Sequence, residues 1–451
     1  MGLLTKAPRG TADLLPAESH KIQYLETVFS DIARSYGFRE IRVPVFEHTE
    51  LFHRSVGETT DVVQKEMYTF NDNGGRSITL RPEGTAGVAR ALLEHGLYSE
   101  AMPQKFYYQI SCYRYEKPQA GRLREFHQFG VECFGSASPA ADAEVIGLAN
   151  RFFQTLSLDN LHLEINSIGC PKCRGAYHKA LKAYFTAHID SLCDTCKGRL
   201  EKNPMRILDC KSPVCSEIAA KAPVILDYLC DDCKEHFAGV QKNLDVLSIP
   251  YTVNPRIVRG LDYYTRTVFE FVSDAIGAQG TVCGGGRYDG LVAEMGGSAL
   301  PALGFAMGVE RLRLLMENTG KYFPEPEGYD LFLICADPAA FDTVSRLTAE
   351  LRDMLLNVER DLCDRSVKAQ MKYANKIGAR YTAVLGENEI QSGSVTVKNM
   401  HTGDTASLPL DDFADRFLSL LDDDSLREWS DDADAPQTGG FTVLDGGKKK
   451  D

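Results

Sequence analysis

The sequence is poor in the features that mark membrane and secreted proteins. No apolar run approaches the roughly 20 residues that a membrane-spanning helix needs. The first ten residues, MGLLTKAPRG, lack the extended apolar core of a signal peptide. Without a secretion signal, the 13 cysteines favour reduced thiols or metal ligands over disulfides. The sequence therefore predicts a cytoplasmic protein with no membrane partner.

The sequence also has fewer basic residues than acidic ones, 50 Lys and Arg against 63 Asp and Glu. The formal net charge is -13, which argues against a protein that coats nucleic acid without specificity. From Asp411 to Asp434, ten acidic residues stand against two arginines, a local net charge of -8. The rest of the chain is closer to balance, so local basic surfaces remain compatible with the composition. From about residue 422 the chain is acidic, then Gly-rich, and ends in KKKD, which predicts a disordered tail over 422–451.

The 451 residues are too many for one hydrophobic core, so two or three domains are expected. The Pro/Gly-rich segment GKYFPEPEG at 320–328 predicts the main domain boundary. Residues 329–421 alternate as strand, helix, strand, helix, strand, which indicates a small doubly wound α/β domain. In the region 1–325 we expect a strand at FREIRVPVF (38–46), placed at a sheet edge because proline cannot donate to a ladder, and a tight loop at GGGRYDG (284–290).

The segment from Tyr107 to Glu132 predicts a strand, a basic loop and a second strand. The loop region is rich in cations, namely Arg114, Lys117, Arg122 and Arg124. On the second strand, apolar residues alternate with a polar series made of Phe126, Gln128, Gly130 and Glu132. We interpret this face as a grip for a polyphosphate beside a small polar ligand, with the glycine allowing close approach to the backbone. The alternative is an ordinary amphipathic strand that faces water.

Two later segments contain further candidate site residues. RGLDYY at 259–264 brings a cation and two phenolic groups together, although an edge strand with ordinary aromatics would look the same. ALGFAMGVER at 302–311 has a face of small residues on which a flat ring can lie, and Arg311 can stack over that ring. The alternative for this segment is helix–sheet packing through small side chains.

These segments together resemble the class II aminoacyl-tRNA synthetases. FREIRVPVFE resembles the first motif of that class, YRYEKPQAGRLREFHQFGVE the second and ALGFAMGVERL the third. LRPEGTAGVAR (80–90), RGLDYYTRTVFEF and GGGRYDGL are similar to segments of the histidine–tRNA ligase family, and KAQMKYANKIGARYTAVLGENE to its anticodon-binding domain. The resemblance runs from about Lys6 to Phe417.

The resemblance implies a fold and an activity. The fold would be an α+β catalytic domain on an antiparallel sheet (1–325) with a helical Cys-rich insertion at about 170–250, followed by an α/β anticodon-binding domain (329–421). The activity would be activation of L-histidine with ATP to histidyl-adenylate and pyrophosphate, then transfer to the 3′ end of tRNA(His) with release of AMP. The first motif builds a dimer interface in the family, which implies a homodimer.

Site residues carried over by position fall into two groups. ATP contacts are implied for Arg114, Glu116, Arg122, Phe126 and Arg311. Histidine contacts are implied for Glu83, Thr85, Gln128, Glu132, Arg259, Tyr263 and Tyr264. Arg114 and Arg259 would stabilise the α-phosphate on opposite sides and are the expected catalytic residues.

The implied chemistry agrees with this inventory. The attacking carboxylate is already ionised, so the first step needs no general base. Its difficulty lies in bringing two anions together and in stabilising charge on the α-phosphate. Fixed arginines supply that stabilisation, and Mg²⁺ on the leaving phosphates assists. Hydrogen bonds to both imidazole nitrogens would reject apolar competitors, so we expect no need for editing.

Eight of the 13 cysteines lie between Cys170 and Cys233. The spacing of Cys170, Cys173, Cys193 and Cys196 predicts a four-cysteine zinc site. A second site would then use Cys210, Cys215, Cys230 and Cys233. The alternative is reduced thiols on a helical insertion, and the resemblance does not decide because zinc is not a general feature of the family. Basic residues of the insertion, among them Arg174, Arg199 and Arg206, would contact tRNA phosphates or form a solvated surface.

One rival function shares the resemblance. Some catalytically inactive paralogues of these ligases regulate the first enzyme of histidine biosynthesis by binding histidine. They typically lack the anticodon domain and lose motif residues, whereas Arg114, Arg259, Arg311 and a C-terminal domain are all present here. An RNA-binding module without activity would not explain the histidine-site residues.

Overall fold

The computed structural model describes residues 5–57, 60–210, 212–276, 280–326 and 328–431. The chain divides into two compact units, Met1–Glu325 and Pro326–Asp451. Within the described residues, no helix combines the length and the apolar character that crossing a membrane requires. Residues 432–451 of the predicted tail lie outside the described residues.

The strands, in chain order, are β1 (Arg39–Glu40), β2 (Phe46–His48), β3 (Thr69–Asn71), β4 (Ser77–Leu80), β5 (Gln104–Tyr113), β6 (Glu125–Phe134), β7 (His162–Ser167), β8 (Thr252–Val253), β9 (Thr265–Val272), β10 (Thr281–Arg287), β11 (Ala302–Gly308), β12 (Leu331–Cys335), β13 (Val358–Arg360), β14 (Tyr381–Leu385), β15 (Ser394–Asn399) and β16 (Thr405–Pro409). The helices are α1 (Pro16–Ser35), α2 (Thr49–Val56), α3 (Thr85–Glu94), α4 (Pro139–Thr155), α5 (Pro171–Thr186), α6 (Asp194–Lys202), α7 (Pro213–Ala219), α8 (Asp231–Val246), α9 (Leu291–Glu294), α10 (Val309–Asn318), α11 (Phe341–Asp353), α12 (Val367–Lys376), α13 (Glu387–Ser392) and α14 (Phe413–Asp431).

The first unit is built on an eight-stranded sheet in the order β1-β5-β6-β11-β10-β9-β7-β8. Only the outermost pairs, β1 with β5 and β7 with β8, are parallel. One face packs against α1 and α4, where the ring of Phe29 stacks on that of Phe129 at 4.9 Å between centroids. Each such buried aromatic contributes roughly 1.5–3 kcal/mol. The opposite face is covered in part by α3, and the predicted antiparallel sheet is confirmed.

The predicted strand 38–46 is wrong as a single element. Arg39–Glu40 pairs with β5 in the large sheet, whereas Phe46–His48 pairs with β4 in a separate three-stranded sheet. Pro44 lies between the two strands and has no N–H to give to a ladder. The chain therefore changes sheets at this point instead of continuing along one.

The predicted loop at 284–290 is also wrong for its first four residues. Gly284 to Arg287 form the second half of β10, between β9 and β11. Glycine is weak in an isolated strand, but here the side chain of Arg259 and the backbone of the neighbouring strands occupy the space that Cβ atoms would fill. The turn begins only after Arg287, whose buried guanidinium forms an ion pair with the buried Asp142 at 2.6 Å.

The second unit has a five-stranded sheet in the order β13-β12-β14-β15-β16. The three strands of the predicted βαβαβ order are parallel, and a hairpin of β15 and β16 adds an antiparallel edge. The last helix runs to Asp431, so the first ten residues of the predicted disordered tail are helical instead. Phe413, Phe417 and Leu421 are buried in the core, and extending a helix that is already nucleated costs little.

Candidate active site

Glu132 lies at the centre of a buried polar cluster on the face of the large sheet opposite α1 and α4. Its carboxylate accepts hydrogen bonds from Thr85 Oγ1 at 2.7 Å and Tyr108 Oη at 3.1 Å, and another from the hydroxyl of Tyr288. The side chain is only 1% exposed. Burial raises the pKa of Glu132 to about 8, although the surrounding hydroxyl donors oppose the shift.

Glu83 and Thr85 reach this cluster from the start of α3. One carboxylate oxygen of Glu83 accepts the amide of Thr85 at 2.7 Å, and the other accepts the amide of Ala86 at 2.9 Å. Free amides at a helix N-terminus favour such an anion. Burial nevertheless raises the pKa of Glu83 above its ordinary value, and the backbone hydrogen bonds act in the opposite direction.

Aromatic rings enclose one side of the cluster. The centroids of Tyr263 and Tyr264 are 4.7 Å apart, and the ring of Tyr288 lies 5.4 Å from that of Tyr263. Tyr108 and Tyr288 were not among the predicted site residues, although Tyr108 lies in the predicted hairpin and Tyr288 in a segment that carried the resemblance. The contribution of Tyr288 depends on β10 lying one strand away from β6 in the sheet, a relation that sequence spacing does not show.

Gly130 has a different role from the predicted one. A Cβ atom at this position would collide with the ring and hydroxyl of Tyr108, which pairs with Gly130 across β5 and β6. Gly304 on β11 likewise makes room for the carboxylate of Glu132. These glycines therefore admit protein side chains, rather than a ligand, close to the backbone.

Arg259 lies over β10, beside the cluster. A Cβ atom on Gly284 would overlap its guanidinium. Arg259 forms an ion pair with Glu270, which also accepts the hydroxyl of Thr281 at 2.7 Å, and it lies 5.5 Å from the ring centroid of Tyr264. The pKa of Arg259 is raised despite its burial, because the charge of Glu270 favours the guanidinium. Glu270 was not a predicted site residue.

The remaining cations surround the hairpin. Arg114 donates to the carbonyl of Pro82 at 2.8 Å and lies 5.3 Å from the ring centroid of Phe126. Arg122 forms an ion pair with Glu116 at 3.1 Å. Burial, together with the positive charge of Arg122, lowers the pKa of Arg311.

These groups form one open cleft of about 330 Å³. Seven predicted residues line it: Arg114, Glu116, Arg122, Phe126, Gln128, Arg259 and Arg311. The other predicted residues, Glu83, Thr85, Glu132, Tyr263 and Tyr264, are buried. Of these, Thr85 contacts Glu132, Glu83 contacts Thr85, and Tyr264 lies beside Arg259. A cationic cleft beside a buried, hydrogen-bonding cluster can hold a polyphosphate and a small polar molecule together.

The insertion brings its cysteines together in a pairing that differs from the predicted one. One group contains Cys170, Cys173, Cys230 and Cys233, and the other contains Cys193, Cys196, Cys210 and Cys215. The predicted four-cysteine set is therefore wrong. The start of α5 meets the start of α8, so the two ends of the insertion share a cluster and the middle forms another.

This antiparallel sheet, with arginines from the hairpin, from the segment before β9 and from the helix after β11, defines a class II aminoacyl-tRNA synthetase. A family model described as Histidyl-tRNA synthetase matches residues 10–173 and 174–312, and one described as Anticodon binding domain matches 330–420. The chain belongs to the histidyl-tRNA synthetase family and is an aminoacyl-tRNA ligase.

Similar proteins cover nearly the whole chain. A histidine–tRNA ligase of Caldanaerobacter subterraneus subsp. tengcongensis is 56% identical over 91% of this chain and 98% of its own length. One from Acetivibrio thermocellus is 54% identical over 92% and 99%. The crystal structure of apo histidyl-tRNA synthetase from S. aureus is 39% identical, covers 92% of this chain and all of its own, and has a TM-score of 0.79.

Proposed function

We propose that this histidine–tRNA ligase carries out both steps of aminoacylation in the cleft between the hairpin, β10 and β11. The histidine carboxylate attacks the α-phosphorus of ATP, the bond to the β-phosphate oxygen breaks, and pyrophosphate leaves. The terminal ribose hydroxyl of tRNA(His) then attacks the histidyl-adenylate and releases AMP. The pairing of a cationic cleft with the buried Glu132 cluster is the observation that carries this proposal.

The arginines of the cleft bind the phosphates of ATP. ATP enters as its Mg²⁺ complex, with adenine between Phe126 and Arg311 and the terminal phosphates near Arg122. Arg114 follows β5 and Arg259 precedes β9, and the two approach the α-phosphate from opposite sides. Both are held in advance, Arg114 by the Pro82 carbonyl and Arg259 by Glu270, so little reorganisation accompanies the build-up of charge.

The buried cluster around Glu132 binds the substrate histidine. Glu132 and Tyr264 hydrogen-bond the imidazole, with Tyr263 alongside, and Glu83, Thr85 and Gln128 hold the α-amino group. Tyr108 and Tyr288 already hold the carboxyl of Glu132 in place, so its orientation is fixed before histidine binds. An apolar competitor would leave these polar groups unpaired, which gives strong discrimination.

No side chain has to remove a proton in either step. The attacking carboxylate is ionised at neutral pH, and a phosphate oxygen of the adenylate can accept the ribose proton in the second step. We place this reaction in the cytoplasm, where tRNA and ATP are found, and we assign structural zinc to the cysteine-rich insertion.

The active form is proposed to be a homodimer. Val45, Phe46 and Phe70 are large apolar residues that remain 41%, 56% and 49% exposed. Phe46 and Phe70 pair with alternate residues of β4, which puts them on one face of the small sheet. An exposed apolar face in the segment that resembles the first motif is suited to contact with a second copy.

Amino-acid-dependent exchange between ATP and pyrophosphate tests the function. We expect exchange with histidine and with no other amino acid. Exchange with no amino acid at all would contradict the synthetase and favour a histidine-binding regulator instead. Aminoacylation of tRNA(His) then tests the second step separately.

Arg259→Ala tests the assigned chemistry. Loss of one preorganised contact to developing charge typically costs about 100- to 1,000-fold in rate, so we expect a fall of this size in exchange while ATP binding survives. The matched control is Arg313→Ala, since Arg313 forms ion pairs with Glu18 and Glu317 away from the cleft. Full exchange in the Arg259 variant would refute the role given to that residue.

A further inference from the structure

The eight cysteines of the insertion have the geometry of two closed metal sites. Within each group the four Sγ atoms lie within 4.8 Å of one another. Sγ of Cys170 is 3.7 Å from that of Cys173 and 3.8 Å from that of Cys230, and Sγ of Cys193 is 3.8 Å from that of Cys210. Four sulfurs at about 2.3 Å from a tetrahedral zinc ion lie about 3.8 Å apart. The three separations given above match this value and the others stay within 4.8 Å, so both sets of four have the spacing of a tetrahedral zinc site.

Backbone donors support the same interpretation. The amide of Cys230 donates to Sγ of Cys173 at 3.1 Å, and the amide of Cys193 donates to Sγ of Cys215 at 3.3 Å. Such N–H groups stabilise thiolates, which are the form that binds a metal. The cysteines of the described residues are free thiols, and a disulfide would require sulfurs only about 2.05 Å apart.

The first cluster closes the base of the insertion. Cys170 and Cys173 lie at the start of α5, and Cys230 and Cys233 lie at the start of α8. Arg174 follows directly in α5, and its guanidinium donates to the carbonyl of Tyr264 in the proposed histidine pocket. The first cluster is thus one residue away from a direct contact with that pocket.

The second cluster holds another contact with the same segment. Between Cys196 and Cys210, the chain supplies Arg206, which donates to the carbonyl of Gly260 at 2.6 Å and to Asp262 at 3.2 Å. Asn203 adds a hydrogen bond to Asp262 at 3.3 Å. This segment contains α6 and one short helical turn, it packs Leu200, Met205 and Ile207 into the hydrophobic core, and its ends carry the cysteines of the second cluster.

We infer that the insertion binds two zinc ions, one in each cysteine cluster, and that the ions position the segment 259–264 for histidine binding. The positioning half of this inference rests on the proposed function, because it assigns that segment to the histidine pocket. Arg174 and Arg206 were predicted to contact tRNA phosphates or to form a solvated surface. Here their hydrogen bonds to Tyr264 and Gly260 link the metal sites to the histidine pocket.

Metal content tests the sites directly. Protein purified without chelator should contain close to two zinc ions per chain, whereas Cys193→Ser combined with Cys210→Ser, and Cys170→Ser combined with Cys230→Ser, should each leave about one. Cys363→Ser is the matched control, since this exposed cysteine belongs to neither cluster and the variant should keep two. Wild-type protein with full exchange but less than about one ion per chain, or with iron in place of zinc, would overturn the inference and leave the proposed function intact.

Kinetics test the positioning role. Loss of the second cluster should raise KM for histidine in the exchange reaction by about tenfold or more, with a smaller change in KM for ATP. Cys210→His retains a zinc ligand and should restore both the second ion and the KM. Arg206→Ala should raise KM for histidine while two zinc ions remain, so the test survives even if the cysteine variants fold poorly.

Two outcomes would contradict the positioning role. One is an unchanged KM for histidine in Arg206→Ala, and the other is a loss of the second ion without any effect on that KM. Two bound zinc ions in a protein that shows no exchange with histidine would instead contradict the proposed function while leaving the metal sites in place.

Discussion

Glu132 is an acidic residue in surroundings that disfavour its charge. Burial raises its pKa to about 8 from an ordinary value of 4.5, and the nearby carboxylate of Glu83 adds to this effect. Between these two pH values the folded protein holds a proton that the unfolded chain has released. The free energy of unfolding should therefore fall as pH rises, by up to about 1.4 kcal/mol per pH unit from this one group.

Glu132→Gln removes this proton linkage while keeping a side chain of similar size. The stability that protonated Glu132 contributes is complete below pH 4.5 and is lost as pH rises through about 8. We expect Tm of the wild type to fall relative to Tm of the variant between pH 5 and pH 8. Parallel Tm profiles across that range would show that the carboxyl group titrates normally.

The sequence showed which residues lie in the site more easily than it showed which side chains surround them. Alternation along β6 predicted that Gln128 and Glu132 share a face with Phe126, and the structure has them in this arrangement. Tyr288 could not be predicted as a partner of Glu132 because it follows β10, far away in sequence. Tyr108 lies on the first strand of the predicted hairpin, but the register that places it opposite Gly130 was not predicted, and the purpose of Gly130 was misjudged for that reason.

At the scale of the element, consecutive glycines of β10 face different surroundings. Gly284 faces the site and Gly285 faces the core. A Cβ on Gly284 would meet the guanidinium of Arg259, which is the end of a flexible side chain. A Cβ on Gly285 would instead meet the backbone carbonyl of Gly304 and the side chain of Phe305. The same substitution at adjacent positions should therefore have different consequences.

We expect Gly284→Ala to displace Arg259 and lower ATP–pyrophosphate exchange with little change in stability. Gly285→Ala should reduce stability by about 1–3 kcal/mol because the packed core cannot move aside. Exchange assays and thermal unfolding of both variants check this division. Equal losses of stability in the two variants would contradict it.

The insertion shows where sequence spacing misleads at this scale. Cysteine pairs that are close in sequence were assigned to one site, which joined Cys170 and Cys173 to Cys193 and Cys196. The actual grouping follows the packing of α5 against the start of α8, and no local pattern encodes that packing. The prediction of a loop at GGGR was wrong for a similar reason. Glycine is acceptable in this strand only because β9 and β11 pair with β10 on its two sides.

At the scale of the whole molecule, the proposed dimer can be tested through Phe46. Placing a charge at a central apolar contact typically costs roughly 2 kcal/mol or more, about a 30-fold change in the dissociation constant. We expect Phe46→Asp to form monomers at concentrations where the wild type is dimeric, as measured by light scattering. Leu362→Asp is the control, because Leu362 is an equally apolar residue that is exposed in the other unit.

The division of the chain at GKYFPEPEG was accessible from the sequence because proline and glycine interrupt both periodicities there. The βαβαβ order that follows was accessible because buried parallel strands are short apolar runs separated by helices. The hairpin of β15 and β16 and the continuation of α14 to Asp431 were not predicted. Both are short or polar extensions whose stability comes from the core beside them.

The strand order of the large sheet has a consequence for folding of the enzyme during its synthesis on the ribosome. β6 pairs with β5 on one side and with β11 on the other, so the second edge of residues 128–134 finds its partner only in residues 302–308. The nascent chain must therefore carry an unpaired strand edge while the entire cysteine-rich insertion is made and, as inferred above, takes up its metal. Zinc-starved cells should accordingly accumulate aggregated nascent protein, because an exposed edge invites pairing with other chains.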